Sequence, residues 1–429
     1  MSRKSAVLVS IFFVVALMNG CDCDSTTEPV DPPVYGSITI SSSMPGDTLL
    51  IGETVQFTAV VTDTAGDTLA TASISWASSN EDIAKVNVNG VVEGTGEGVA
   101  SITAAGGGVT SSPAAQIVLQ GFGWVGQPAP VVSNLNGCFF IDRQRGWAVG
   151  DVGVVLFTDD AGVTWTQQQS NVTGFTLHSV FFLDENKGFS VGSAGQIIRT
   201  FDAGMTWTQL TGQPTGGLDL KEIRFFDNLT GVIVGNQGLI MTSDDGGDSW
   251  ARLLPSVTST NLNAAFAIDE PLDDLAWIVG NSGTIVSTRT SGDDFNIVTP
   301  TVTSQNLMGV WRLSNTEAIA VGGNNTVLNT VASGDSALWQ LAPPPGVFGN
   351  FGDVSYPVAA AAYAVGINVG GNALILKSDD GAFTWVEQVL PSNVPLSGND
   401  LRGVWFVNEF TGWTVGRGGL IIHTATGGD

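Results

Sequence analysis

Residues Leu177–Trp207 read LHSVFFLDENKGFSVGSAGQIIRTFDAGMTW. Four β-type runs stand in this stretch and just beyond it: LHSVFFL, GFSVG, GQIIRT and TWTQL. Each alternates or is apolar throughout, as sheets buried on both faces require, and turns separate them. The copies beginning at Leu135 and Leu220 keep the same length and landmarks, and the Gly that ends the "xVG" step recurs at Gly150, Gly192, Gly235, Gly280, Gly322, Gly366 and Gly416. The intervals are 42, 43, 45, 42, 44 and 50 residues. A period of this length with four strands per copy is the signature of a β-propeller blade, a single sheet that must stack on its neighbours to bury its faces. Seven copies predict seven blades over residues 120–429, with the LHSVFFL-type run innermost.

The seventh copy, Leu401–Asp429, ends before its terminal Trp strand. Trp124-Val125-Gly126-Gln127 resembles Trp165-Thr166-Gln167-Gln168 and precedes it by 41 residues, about one period. This N-terminal segment is therefore expected to supply the outer strand of the last blade and so remove an exposed edge.

The third turn of each copy carries a motif, Thr158-Asp159-Asp160-Ala161-Gly162-Val163-Thr164-Trp165, with counterparts at Thr200–Trp207, Ser243–Trp250 and Ser378–Trp385. These segments resemble Asp-boxes, the bacterial neuraminidase repeats. The expected role is structural: Asp160, Asp202, Asp245 and Asp380 accept bonds from their own turns, Gly permits a positive φ, and Trp165, Trp207, Trp250 and Trp385 pin the turns to the blades. Thr290, Ala332 and Thr426 replace the Asp in the fourth, fifth and seventh copies, and Ala382 replaces Gly in the sixth. The doublets Asp159-Asp160, Asp244-Asp245 and Asp379-Asp380 also admit a calcium reading, but no copy has the spaced oxygen ligands of a calcium loop, so hairpin pinning ranks first.

Ahead of the repeats stand three other segments. Ser2-Arg3-Lys4, the apolar run Ala6–Leu17 and then Met18-Asn19-Gly20-Cys21 read as a secretion signal over residues 1–20. The run is too short to cross a bilayer, which needs about 20 apolar residues. A small residue directly before Cys resembles the lipobox of bacterial lipoproteins, which implies that Cys21 becomes the lipid-modified N-terminus and anchors the chain to a membrane. An ordinary signal peptide is the alternative. Asp22 resembles an inner-membrane retention signal, and the choice of inner or outer membrane stays open. Residues 21–35, rich in Asp, Thr and Pro, form an expected tether. Residues 36–119 show short alternating runs, including Thr54–Val61 and Ile74-Ser75-Trp76, and predict a β-sandwich. The order Trp76–Asn80, Ile83–Val86, Asn89–Val92 and Gly98–Ala104 resembles the bacterial Ig-like group 2 domain, which implies a stalk or an adhesive module. Trp76 is expected in the core between the sheets.

The 429 residues include 55 Gly, 12 Trp, 3 Tyr and 2 His, and 40 acidic against 15 basic residues leave a net charge of −25. Nucleic acid is thereby an improbable partner, since phosphate affinity comes from Lys and Arg. With 43% apolar residues the chain can bury a core. Two His and 3 Cys cannot build a zinc site of the usual spacing, and no metal or cofactor is expected. Cys23 can reach Cys138 in an oxidising envelope, yet Cys138 fills a slot taken elsewhere by Val180, Ile223, Val310, Val354 and Val404, so a buried apolar role ranks ahead.

A sialidase-type hydrolase needs an Arg cluster and a Tyr nucleophile. Tyr356 and Tyr363 both lie in copy six, Tyr363 within an apolar step, and His178 and His423 stand near no G-x-S-x-G elbow. An enzyme is not expected, and a glycan-processing hydrolase is kept as the rival. The steps Gly146-Trp147-Ala148-Val149-Gly150 and Gly412-Trp413-Thr414-Val415-Gly416 are similar to those of the photosystem II assembly/stability factor family. That likeness implies a non-enzymatic assembly platform whose basic patch contacts membrane-protein partners. The position before the motif's Thr or Ser is basic here at Arg199 and Lys377, with His423 a third candidate. The residue after each inner-strand start is Asn136, His178, Lys221, Asn263, Met308, Gly352 or Arg402, so scarce titratable groups share one repeat position and are candidates for a binding rim at a channel mouth. Polar residues at wet strand ends are the plainer explanation and rank ahead. The sequence thus predicts an all-β, monomeric, lipid-anchored envelope protein that presents a propeller to a protein or glycan, with a purely structural surface protein as a further alternative.

Overall fold

The computed structural model describes residues 34–428 apart from 43–48, 51–53, 71, 96–97, 112–114, 121–122, 269–274, 291–293, 300, 314–316, 331–338, 343–345, 347–348, 391–393 and 395–396. The signal segment, Cys21, Cys23, Ala332 and nearly all of the tether lie outside the described residues. The N-terminal unit is a two-sheet sandwich. Tyr35–Ser42, Thr54–Asp63, Val91–Gly94 and Ala84–Val86 make one sheet, while Leu49–Leu50, Ala115–Gln120, Gly98–Gly106 and Ser75–Ser78 make the other, with Val109–Thr110 paired alongside. Val55, Phe57, Val92, Ala100 and Ile102 are buried between them. Trp76 packs edge-on to Phe57 at 6.3 Å but is only half-buried, because its strand lies at a sheet edge.

From residue 124 onward the described chain forms seven four-stranded antiparallel sheets. In the first, Leu135–Phe140, Gly146–Gly150, Val155–Thr158 and Thr166–Gln168 follow one another as a meander. The inner strands of the others are Leu177–Phe182, Leu220–Phe225, Leu262–Ile268, Leu307–Arg312, Gly349–Val358 and Leu401–Phe406. Each inner strand packs beside the next, and Leu401–Phe406 packs beside Leu135–Phe140. The second strands GWAVG, GFSVG, GVIVG, AIAVG and GWTVG are buried end to end, since each is flanked on both edges and covered on both faces. That is why these runs are apolar without alternation.

Trp124–Gln127 pairs antiparallel with Ile421–Thr424, outermost in the seventh sheet and in the register Trp124↔Thr424 to Gln127↔Ile421.

Neighbouring sheets are joined by three recurring devices. Large aromatics on second strands stack on the inner strand of the next sheet: Trp147 on Phe182 and Trp413 on Phe140, each at 3.5 Å, and Tyr363 on Phe406 at 3.7 Å. Tyr363 also donates its hydroxyl to the carbonyl of Glu409 at 2.8 Å, which fixes it as a core residue. The tight turns after the repeated Gly hold a left-handed residue whose N–H reaches an Asx side chain of the next sheet. Ala194, Gln237, Ser282, Asn324 and Gly418 donate to Asp219, Asn261, Asn306, Asn350 and Asn134 at 2.9–3.1 Å. Outer-strand glutamines clamp the adjacent hairpin. Gln127 and Gln168 donate to the carbonyls of Ala161 and Ala203, and accept from the indoles of Trp165 and Trp207.

The third-turn hairpins show what the Asp does. Asp160 accepts from the N–H of Thr164 at 2.9 Å and from its hydroxyl at 2.6 Å, and Asp202, Asp245 and Asp380 repeat this with Thr206, Ser249 and Thr384. The leading hydroxyl is more constant than the carboxylate: Thr424 still accepts from the N–H of Gly428 at 2.9 Å where Thr426 has replaced Asp. In the sixth copy Ala and Gly exchange places, and Gly381 and Ala382 take the left-handed φ values of +77° and +69°. Burial opposes ionisation of Asp245, but the Ser249 hydroxyl and N–H and the Ser243 hydroxyl outweigh it and hold the pKa down to about 2. Asp245→Ala is expected to cost about 2 kcal/mol in a urea titration, the worth of hydrogen bonds to a charged group.

Candidate functional site at the mouth of the channel

In six of the inner strands the register shifts after the first residue, and in Gly349–Val358 it shifts after Phe351, so each carries a bulge at the next position. A bulge re-aims its extra side chain. The seven bulged positions are Asn136, His178, Lys221, Asn263, Met308, Gly352 and Arg402, and all of them line one cavity of about 710 Å³. The repeat position that the sequence offered as a candidate rim thus lines a single cavity.

The ring is lopsided. Lys221 Nζ donates to His178 Nε2 at 3.2 Å, Asn136 donates to the carbonyl of Leu177 at 2.9 Å, and Arg402 donates to Asn136 Oδ1 at 2.8 Å. These bonds make a continuous arc over four neighbouring sheets. Asp219 lies 3.4 Å from Lys221, and Asp400 accepts from Arg402 at 3.0 Å. Burial, with the Lys221 charge next, pushes the His178 pKa down to about 4, so at neutral pH the imidazole is uncharged and acts as acceptor. The opposite side is formed by Asn263, Met308 and Gly352, and Gly352 packs so closely on the next inner strand that a Cβ there would lie 2.9 Å from the carbonyl oxygen of Leu401.

Below the mouth lie charged groups that the sequence reading did not single out. Arg224 pairs with Glu222 at 2.7 Å and donates to the carbonyl of Ile223 at 2.9 Å, and Glu222 also accepts from the Ser179 hydroxyl. Asp353 accepts from the N–H groups of Val354 and Val404 at 2.8 and 3.0 Å, bridging two inner strands. Burial raises the pKa of Glu222 against the pull of Arg224, and raises that of Asp353 to about 7 against the Val404 N–H. Cys138 lines the same cavity, and burial pushes its thiol far up. The signal for these residues was substitution within the repeat. Glu222 and Asp353 occupy the slot of Gly137, Ala264, Gly309 and Gly403, and Arg224 occupies that of Phe139, Phe181, Phe266, Trp311 and Trp405.

Those five aromatics form a chain of ring contacts, with Phe266–Trp311 at 4.5 Å, Trp311–Trp405 at 5.1 Å, Trp405–Phe139 at 4.7 Å and Phe139–Phe181 at 4.9 Å. The Arg224 guanidinium sits over Phe181 and Trp405 at 5.9 and 5.6 Å. A second, apolar hollow is lined by Phe139, Phe181, Phe266 and Trp405, and Arg224 borders both it and the upper cavity. The guanidinium thus stands between the polar cavity and the apolar hollow.

The remaining candidates lie elsewhere. Arg199 pairs with Asp248 at 2.8 Å and covers Phe201, while Lys377 is buried and pairs with Asp379 at 3.2 Å. Both are on third strands and neither lines the cavity, so the structure gathers His178, Lys221 and Arg402 and separates them from Arg199 and Lys377. His423, in the corresponding third-strand slot, is fully buried and stacked on Trp413 at 4.5 Å.

Residues 120–215 and 171–340 match the family described as photosynthesis system II assembly factor YCF48, together just over half of the chain. The chain belongs to this family. Residues 36–116 match the bacterial Ig-like domain (group 2). No curated protein matches the chain. Among solved structures, YCF48 bound to a D1 peptide is 22% identical with a TM-score of 0.58, covering 71% of this chain and 97% of its own. YCF48 from Cyanidioschyzon merolae is 18% identical with a TM-score of 0.56, covering 70% and 98%. Virginiamycin B lyase from Staphylococcus aureus is 14% identical with a TM-score of 0.57, covering 71% and 99%. At such identities the likeness is one of fold, a β-propeller type that serves binding proteins and enzymes alike.

Proposed function

We propose that this member of the YCF48 family is a lipid-anchored cell-envelope protein that presents a propeller to a protein partner, with the Ig-like unit as spacer. Membership of the family carries this reading, and the solved YCF48 with a bound peptide supports a protein partner. Seven four-stranded sheets, with Trp124–Gln127 completing the last, support a ring of seven blades joined by Asp-box hairpins. The N-terminal sequence supports the anchor at Cys21. Binding rather than catalysis is favoured because the cavity's two deep carboxylates are engaged, Glu222 by Arg224 and Asp353 by two backbone N–H groups.

Two measurements test the two halves of this reading. Cys21→Ser is expected to abolish incorporation of labelled fatty acid and to move the chain from the membrane pellet to the soluble fraction. Undiminished labelling would rule out the anchor. Crosslinking of the full chain in envelope preparations is expected to place a recurrent partner on the faces of residues 120–429; crosslinks confined to residues 36–119 would instead assign binding to the Ig-like unit.

A further inference from the structure

We infer that this cavity is itself a ligand site and that it takes a small hydroxylated carboxylate of the sugar-acid class. The shape comes first. Arg224 stands between the polar cavity and the apolar hollow of the girdle, so an occupant entering at the ring meets the guanidinium before the aromatic rings. Its volume of about 710 Å³ suits a small molecule or the terminal unit of a longer chain.

The chemistry of the walls narrows the class. Lys221 has three N–H donors, of which His178 and Asp219 take two, and Arg402 has five, of which Asp400 and Asn136 take two. Both cations therefore keep donors for a carboxylate, and they flank the uncharged His178 on one arc. Three buried polar atoms of cavity-wall residues form no hydrogen bond: the donor Arg224 Nε and the acceptors Asn236 Oδ1 and Asp400 Oδ1, the last with the Arg417 guanidinium 3.8 Å away. Such groups are costly unless bonded. A simple carboxylate supplies acceptors only and leaves Asn236 and Asp400 unmet, whereas hydroxyls beside the carboxylate donate to them. Among the described residues of the wall the one phenyl ring, Phe351, is buried and offers no platform to a neutral sugar, and the opposite side at Met308 and Gly352 is uncharged, which orients the carboxylate toward Lys221 and Arg402.

The test is calorimetric titration of the full chain with D-glucuronate, with a glucuronate-terminated oligosaccharide, and with glucose and acetate as controls. Saturable binding of glucuronate, at least about tenfold tighter than either control, is the expected result. Tighter binding of the oligosaccharide identifies a glycan end as the source, and equal or weaker binding identifies the free acid. The double variant K221Q/R402Q is expected to lose at least about tenfold in affinity. Met308→Trp, a change at a partly exposed residue across the cavity, is expected to block binding with the melting temperature unchanged. No heat up to about 10 mM glucuronate, acetate binding as well as glucuronate, or full binding by folded Met308→Trp would each overturn the inference. Calorimetric binding of glucuronate and crosslinking to a protein partner are separate readouts, so failure of the titration leaves the partner reading standing, and the absence of a crosslinked partner leaves the ligand site standing.

Discussion

A chain lacking residues 120–132 melts about 10 °C or more below the intact protein, and this is the largest stability effect expected. Three losses add up. The backbone pairing from Trp124↔Thr424 to Gln127↔Ile421 disappears and leaves Ile421–Thr424 as a bare, apolar edge. The buried Trp124, edge-on to Phe406 at 5.9 Å and to Tyr363 at 6.2 Å, goes with it, and deleting a buried Trp side chain alone costs about 3–5 kcal/mol. Gln127 no longer joins the last sheet to the Ala161–Trp165 hairpin of the first. Trp124→Ala isolates the second loss and should fall between the deletion and the intact chain in calorimetry. An unchanged melting temperature for the deletion would show that the ring holds without its N-terminal strand.

His423→Phe removes a dependence of stability on pH, and the sign follows from burial. An unfolded chain takes a proton on His423 near the ordinary value of 6.5, but burial with neither ring nitrogen hydrogen-bonded drives the native value down to about 3. Between these values the unfolded state holds the proton, so stability is fully present above 6.5 and is lost as pH falls, by up to about 1.4 kcal/mol per pH unit. Phe157 occupies the same repeat slot in the first sheet, so Phe is compatible with the site. The difference in unfolding free energy between His423→Phe and wild type should therefore grow from pH 6.5 to pH 4, measured by urea titration at each pH. A flat difference would mean that His423 is solvated in the native state. Asp353 acts in the opposite direction. Burial raises its value from 3.8 to about 7, so the native state holds the proton and stability is lost as pH rises through that window. Asp353→Asn should flatten that second slope while leaving the His423 difference in place.

The repeat made much of this architecture readable. Once Leu177–Trp207 had been recognised as a unit, the strand order, the buried second strands and the pinned hairpins followed from one short pattern reused along the chain. The single-position ring was readable too, as a column of unlike residues at Asn136, His178, Lys221, Asn263, Met308, Gly352 and Arg402. A candidate rim could be offered from it but ranked behind plain solvation, because a polar residue near a strand start is ordinary until a bulge turns it inward. The partners of those residues were less visible still. Arg402 meets Asn136 across 266 positions of sequence, and Asp353 meets Val404 across 51. No local pattern encodes such pairs. The Asx residues that receive left-handed N–H groups from the preceding sheet were overlooked although Asn134, Asp219, Asn261, Asn306 and Asn350 recur directly before Leu135, Leu220, Leu262, Leu307 and Phe351, since a repeated polar residue at a loop end reads as solvation.

By itself the sequence determined the all-β class, the Ig-like unit, the repeat and its period, and the chemistry of each hairpin, because all of these rest on neighbours within a few dozen residues. Only the tertiary structure decided which scarce charges work together. Inner strands converge on an axis and third strands do not, so His178, Lys221 and Arg402 share a cavity while Arg199 and Lys377 stand apart with their own carboxylates. Burial then set their states, leaving His178 neutral and Asp353 near its midpoint at neutral pH, and no count of acidic and basic residues contains that information.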